Sequence, residues 1–151
     1  MIKIITVGTI KENYLKKAIE EYKKRLQKYT QIEIIEVKDE GYVEDIKAIK
    51  LEGEKIDKFL DKKDYIITLE IEGKELTSPE FAEKIRNIQI TNSNITFVIG
   101  GSNGLSEDIK KKADFHLSFS KMTFPHQLFR VNLLEQIYRA YKINNNESYH
   151  K

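Results

Sequence analysis

Residues able to do chemistry gather in the last third of the chain. Gly100-Gly101-Ser102-Asn103-Gly104 places three glycines in five residues, directly after the apolar run Ile95–Ile99. Glycine lets backbone approach a ligand closely and permits positive φ, so such a turn at the carboxyl end of a strand can cradle a cofactor. A plain tight turn between strand and helix uses the same residues. The spacing is not the G-x-G-x-x-G of dinucleotide sites, and no Gly-Lys-Ser/Thr follows to make a phosphate loop. Gly8 stands alone after the first strand, so the usual nucleotide site at the first strand–helix turn is missing as well. A nucleotide-like cofactor therefore belongs near the C-terminal strands.

The second candidate is Ser118-Phe119-Ser120-Lys121-Met122-Thr123-Phe124-Pro125-His126-Gln127, where a strand ends and a helix starts at a proline. Free N–H groups at a helix start can hold carboxylate or carbonyl oxygens. Met122 and Phe124 can wall an adenine slot, or equally serve as core with Lys121 solvated. The three histidines have no metal-ligand spacing, and no metal site is expected. His116 reads as structural in an apolar strand, and His126 as a capping or packing residue. His150 lies in a polar Tyr-His-Lys end, where the alternatives are function and a disordered terminus. There is no serine–histidine–acid pattern and no paired-carboxylate site.

The elements that must position these residues alternate. Strands are expected at Ile2–Val7, Ile32–Val37, Tyr65–Ile71, Ile95–Ile99 and His116–Phe119. Helical spacing covers Leu15 to Tyr29 and a charged stretch over about residues 44–60. Ser78 as N-cap with Pro79 behind it starts a helix to about Ile88, and Ser106 caps a short one. A long helix runs from Pro125 to about Ile143, before the tail Asn144–Lys151. Alternating strands and helices mean an α/β layer structure with a largely parallel sheet.

Bulk properties agree. A chain of 151 residues with 40% hydrophobic and 33% charged residues suits one globular domain. The longest apolar runs are strand-like, and the first residues lack the flanks and length of a signal peptide, so no membrane span is expected and a cytoplasmic protein is the simple reading. The absence of cysteine excludes disulfides and thiolate metal sites. Net charge is only +2, but residues 121–151 hold five bases against two acids, so the other 120 residues sum to −1. One edge is then the natural place for a polyanion.

On these motifs the sequence resembles the ribosomal RNA large-subunit methyltransferase H family, a minimal branch of the SPOUT methyltransferases. The resemblance is carried by Phe97-Val98-Ile99-Gly100-Gly101-Ser102-Asn103-Gly104-Leu105 and by Leu117 through Gln127. Glu135-Gln136-Ile137-Tyr138-Arg139-Ala140, the terminal Tyr149-His150-Lys151 and the opening Lys3–Gly8 also carry it. It spans the full length, one SPOUT domain over 1–151. The family fold is α/β with a largely parallel sheet and a C-terminal deep trefoil knot, here roughly residues 69–143, although knots are nearly absent among proteins generally.

The resemblance implies S-adenosyl-L-methionine held by Leu69, Gly100 and the run Phe119, Ser120, Lys121, Met122, Thr123, Phe124. It implies a homodimer packed knot against knot, with the helix from Pro125 partly interface. The implied reaction methylates N3 of a pseudouridine in large-subunit (23S) ribosomal RNA on the assembled ribosome. N3 carries a proton that must leave, so a base or a cation stabilising the ring anion is required. Expected roles are His150 as proton acceptor or base-orienting group, Lys151 or Arg139 as cation, Tyr149 stacking on a base, and Arg130 contacting phosphate. The terminal Lys151 stands where many relatives have arginine and lacks its planar fork. Two other classes compete: a non-catalytic ribosome-binding module of the same fold, and a nucleotide-dependent oxidoreductase. The intact glycine turn and loop disfavour the first, and the missing fingerprint disfavours the second.

Overall fold

The computed structural model describes residues 1–151. In chain order the elements are β1 (Ile2–Val7), α1 (Asn13–Leu26), β2 (Ile32–Val37), α2 (Asp45–Asp57), β3 (Tyr65–Glu75), α3 (Ser78–Thr91), β4 (Ile95–Ile99), α4 (Glu107–Lys112), β5 (Phe115–Ser118) and α5 (His126–Asn144). One five-stranded sheet has the order β2-β1-β4-β3-β5, and every pairing in it is parallel. Parallel sheets are buried on both faces, and alternate residues divide accordingly. Ile2, Ile4, Phe97 and Ile99 join the larger core under α1, α3 and α5 with Leu15, Ile85, Leu133 and Ile137. Ile5, Val7 and Val98 point the other way, onto Ile56 of α2 and Ile109 of α4. β4, the most apolar strand, is buried at all five positions. No helix is long and apolar enough to cross a membrane.

Some local expectations shift. The cap of α3 is Thr77, not Ser78: its hydroxyl accepts from Glu80 N at 3.2 Å while Thr77 N donates to Glu80 Oε1 at 2.8 Å. That reciprocal box satisfies two otherwise free donors, which a Ser78 cap could not do with Glu80 in register. Strand β3 runs four residues beyond Ile71, because after an irregularity between Leu69 and Lys74 it pairs again with Leu117 and Ser118 of β5. Gly73 permits this return, since a Cβ there would meet His116 O at 2.8 Å. His116 is not a core histidine. Its ring is exposed, touching the Glu70 carboxylate and lying 3.0 Å from Thr68 Oγ1.

Candidate functional site

Because β4 lies beside β3 and β3 beside β5, the irregular stretch 69–72 within β3 and the turns after β4 and β5 meet at one end of the sheet. They enclose a cavity of about 360 Å³, with Phe129 of α5 on its wall. That lies within the range of small-molecule sites. The glycine turn forms one side. A Cβ on Gly100 would come within 2.8 Å of Gly104 C and 2.9 Å of its O. Gly104 has φ +86°, where side chains are strained, and its N–H donates to Gly101 O at 3.1 Å. The turn thus folds back on itself and leaves space above it.

The segment after β5 forms the other side. Ser118 Oγ donates to Ser120 O at 3.1 Å, and Met122 N donates to Ser120 Oγ at 3.0 Å, fixing a compact bend. Phe119 and Phe124 both pack on Phe129, with ring centroids 4.8 and 6.0 Å away, which gives an apolar wall. Seven of the eight residues expected at a cofactor line this cavity: Leu69, Gly100, Phe119, Ser120, Met122, Thr123 and Phe124. Lys121 does not; it is exposed and outside the lining. Met122 lies at the mouth, 76% exposed, so it is a rim rather than an inner wall. His126 also lines the cavity and α5 has no side-chain cap, so a capping role for it does not hold.

Carboxylates give the cavity an acidic character. Glu70 and Glu72 line it, and Lys110 is the nearby cation, 3.9 Å from Glu70. Glu70 accepts the buried Thr68 hydroxyl at 2.6 Å. Below the glycine turn, Glu52 is buried with Oε2 accepting Glu40 N at 2.9 Å and Oε1 unpartnered.

Arg130 is not placed to meet a phosphate. It is 1% exposed, ion-paired with Glu36, and its Nη2 donates to Gly8 O at 2.9 Å. Glu36 Oε2 also accepts Ile10 N at 3.1 Å, and Gln127 Oε1 accepts Lys11 N at 3.3 Å. The first turns of α5, immediately after the cavity loop, are thereby bolted to the β1–α1 connection.

The C-terminal residues form a separate constellation. Arg139 donates twice to Glu135 Oε1, from Nε at 3.0 Å and Nη2 at 2.6 Å, and this bond holds its guanidinium even more firmly charged. Its third arm, Nη1, lies 3.0 Å from His150 Nδ1. A guanidinium only donates, so Nδ1 accepts, and a neutral His150 carries its proton on Nε2. His150 then offers a donor outward, which suits an orienting group and not a proton acceptor. Tyr149 packs edge-on against Tyr138 at 5.0 Å and beneath the Arg139 guanidinium at 4.8 Å, with its hydroxyl on Glu135 Oε1 at 3.1 Å. Burial first, and then the Glu135 bond, push its phenol up to about 12. Its half-buried ring is thereby fixed by its own chain. Lys151 is exposed. Phe129 at the cavity and Arg139 at the tail are ten residues apart on α5, about 15 Å along a helix axis.

Sequence reasoning passed over Glu36, Glu52, Glu135 as a hub, and Glu147. The exposed glutamates of the strand Ile-Glu-Ile-Ile-Glu-Val gave no local signal, since the partner of Glu36 is far away in the chain.

Comparison with known proteins gives a consistent result. A family model described as "Predicted SPOUT methyltransferase" matches residues 1–150. A protein of Methanococcus maripaludis is 55% identical over 99% of both chains. Proteins of Clostridium botulinum and Clostridium perfringens, 53% and 50% identical over 99% of each chain, are named ribosomal RNA large subunit methyltransferase H. Among solved structures, "a probable methylase family protein" from Haemophilus influenzae Rd KW20 superposes with a TM-score of 0.56 over 99% of this chain and 70% of its own. At 19% identity that likeness speaks to the fold. Matched end to end by the family and by relatives at half identity or better, this chain belongs to the ribosomal RNA large-subunit methyltransferase H family of SPOUT methyltransferases.

Proposed function

We propose that this protein is an S-adenosylmethionine-dependent methyltransferase of large-subunit ribosomal RNA, acting at N3 of a pseudouridine on the assembled ribosome. The observation that carries the reading is the shared cavity, which gathers seven family-position residues from three separated segments of the chain. The cavity fits the cofactor in kind. A glycine turn that lines the cavity with bare backbone accepts a flat group, Phe119 and Phe124 offer an apolar wall to an adenine, and Glu70 offers acceptors. Leu69, Gly100, Phe119, Ser120, Met122, Thr123 and Phe124 would hold it. Lys121 contributes its backbone to the bend, with its charge directed to solvent.

When bound, S-adenosylmethionine supplies a methyl group on an electrophilic sulfonium. The chain's own task is alignment, exclusion of water and handling of the N3 proton. His150, oriented by Arg139, donates from Nε2 toward a ring carbonyl, and Arg139 and Lys151 bring positive charge to the ring anion left when the N3 proton passes to solvent. Tyr149 and Glu135 fix the angle of this group.

The separation of tail and cavity along α5 supports the homodimer. Within one protomer the tail lies far from the methyl site, and an antiparallel second copy packed on α5 would bring its tail to the first copy's cavity. The deep knot is part of the same reading, supported by β4 lying inside β3 and β5 outside it. Cytoplasmic residence goes with a ribosomal substrate. Calorimetric titration with S-adenosylmethionine tests the cofactor site: saturable binding that Phe124→Ala weakens is expected, and no heat of binding by the folded protein would refute the assignment.

A further inference from the structure

We propose that Glu147 is a positioning residue for methyl transfer, clasping the C-terminal tail to the α1–β2 connection and to α5 so that Tyr149, His150 and Lys151 are presented in one arrangement. This rests on the reading that the tail takes part in transfer. After α5 ends at Asn144 the chain reverses at Asn146, whose φ of +54° is in the left-handed region that asparagine tolerates. Asn145 Nδ2 donates to Tyr141 O at 2.7 Å and Glu147 N to Lys142 O at 2.9 Å, so the reversal uses carbonyls that the helix end leaves free.

The Glu147 carboxylate then gathers donors from α5 and from the segment that follows α1. Oε1 accepts the Tyr29 hydroxyl at 2.7 Å, and Oε2 accepts Lys142 Nζ at 3.0 Å and Lys28 Nζ at 3.5 Å. Tyr29 is itself fixed, stacked on Tyr141 with centroids 5.5 Å apart. The Tyr29 hydroxyl first, and Lys142 second, pull the carboxylate down to about 2, so it is charged at neutral pH. Apart from the hydrogen bonds that close the helix end, this carboxylate is the side-chain anchor of the stretch, since Asn145-Asn146-Glu147-Ser148 has no apolar side chain to bury. Two residues on, Tyr149 reaches Glu135 and His150 reaches Arg139. The clasp therefore sets the register in which those contacts form.

The test compares wild type, Glu147→Gln, Tyr29→Phe and a chain ending at Ser148. Tail amide hydrogen exchange, S-adenosylmethionine affinity and kcat for transfer to ribosomes are measured for each. With Glu147→Gln, exchange at Tyr149 and His150 quickens and kcat falls about tenfold, the scale of one charge-assisted hydrogen bond, while cofactor affinity holds within about twofold. Tyr29→Phe shifts both in the same direction by less. Quicker exchange with undiminished kcat, while the truncated chain is dead, overturns the clasp and leaves the tail's role standing. Unchanged exchange overturns it too. A truncated chain with full activity removes the tail reading and the clasp together.

Discussion

Replacing Arg130 by methionine keeps an unbranched apolar stem in the core and deletes the guanidinium. The structure allows the cost to be worked out. The side chain is 2% exposed and its partner Glu36 is 36% exposed. Breaking a fully buried pair costs about 3–5 kcal/mol, because one charge is left without compensation. Here the survivor can take up water and keeps the Ile10 N–H, but the half-buried Gly8 carbonyl loses its 2.9 Å donor. Together these bring the loss to roughly 2–3 kcal/mol. For a chain of this size that is a fall in Tm of about 4–12 °C. Urea and thermal unfolding give the number, and the double variant Glu36→Gln/Arg130→Met should recover about 1 kcal/mol through the coupling of the pair. If Arg130→Met unfolds within about 0.5 kcal/mol of wild type, a level typical of surface changes, and weakens RNA binding instead, the buried-anchor reasoning is wrong and the residue faces phosphate after all.

Further outcomes follow from the same geometry. Gly100→Ala drives a Cβ to within 2.8 Å of the Gly104 backbone, so the turn must open; calorimetry should find cofactor binding lost while circular dichroism keeps its folded signature. The Glu147 carboxylate is depressed to about 2 from an unfolded 4.5, so its contribution is present above about pH 4.5 and disappears as pH falls toward 2. Tail hydrogen exchange should accelerate in that window and not above it. Tyr149 runs the other way: raised from 10.0 to about 12, it stabilises fully below pH 10 and ceases to as pH rises through 12. Spectroscopic titration should find a phenol titrating at about 12 that Tyr149→Phe removes, beside the raised Tyr42 and Tyr65.

What the sequence made legible was whatever local chemistry encodes. Strand β4 is a continuous apolar run with glycines behind it, and its bounds came out unchanged as Ile95–Ile99. The two loops around the cavity carry long contiguous motifs, so their shared wall could be expected. Long-range pairing was not legible. Arg130 meets a glutamate 94 residues away, and a basic residue on this helix reads as a phosphate contact until that partner is seen. Glu147 looked like part of a polar tail because its partners Tyr29 and Lys28 lie over a hundred residues upstream. The Thr77 cap was closer to reach: Thr-x-x-Glu is a box by spacing, whereas Ser78 matched only by residue type.

The central claim is tested most directly by methyl transfer from radiolabelled S-adenosylmethionine to ribosomes lacking the modification, with wild type beside His150→Ala. The expected result is label at N3 of one pseudouridine in large-subunit RNA, much reduced on protein-free RNA because so little basic surface is available to hold it, and largely lost in the variant. Absence of label on ribosomes, or equal label on naked RNA, would contradict the account.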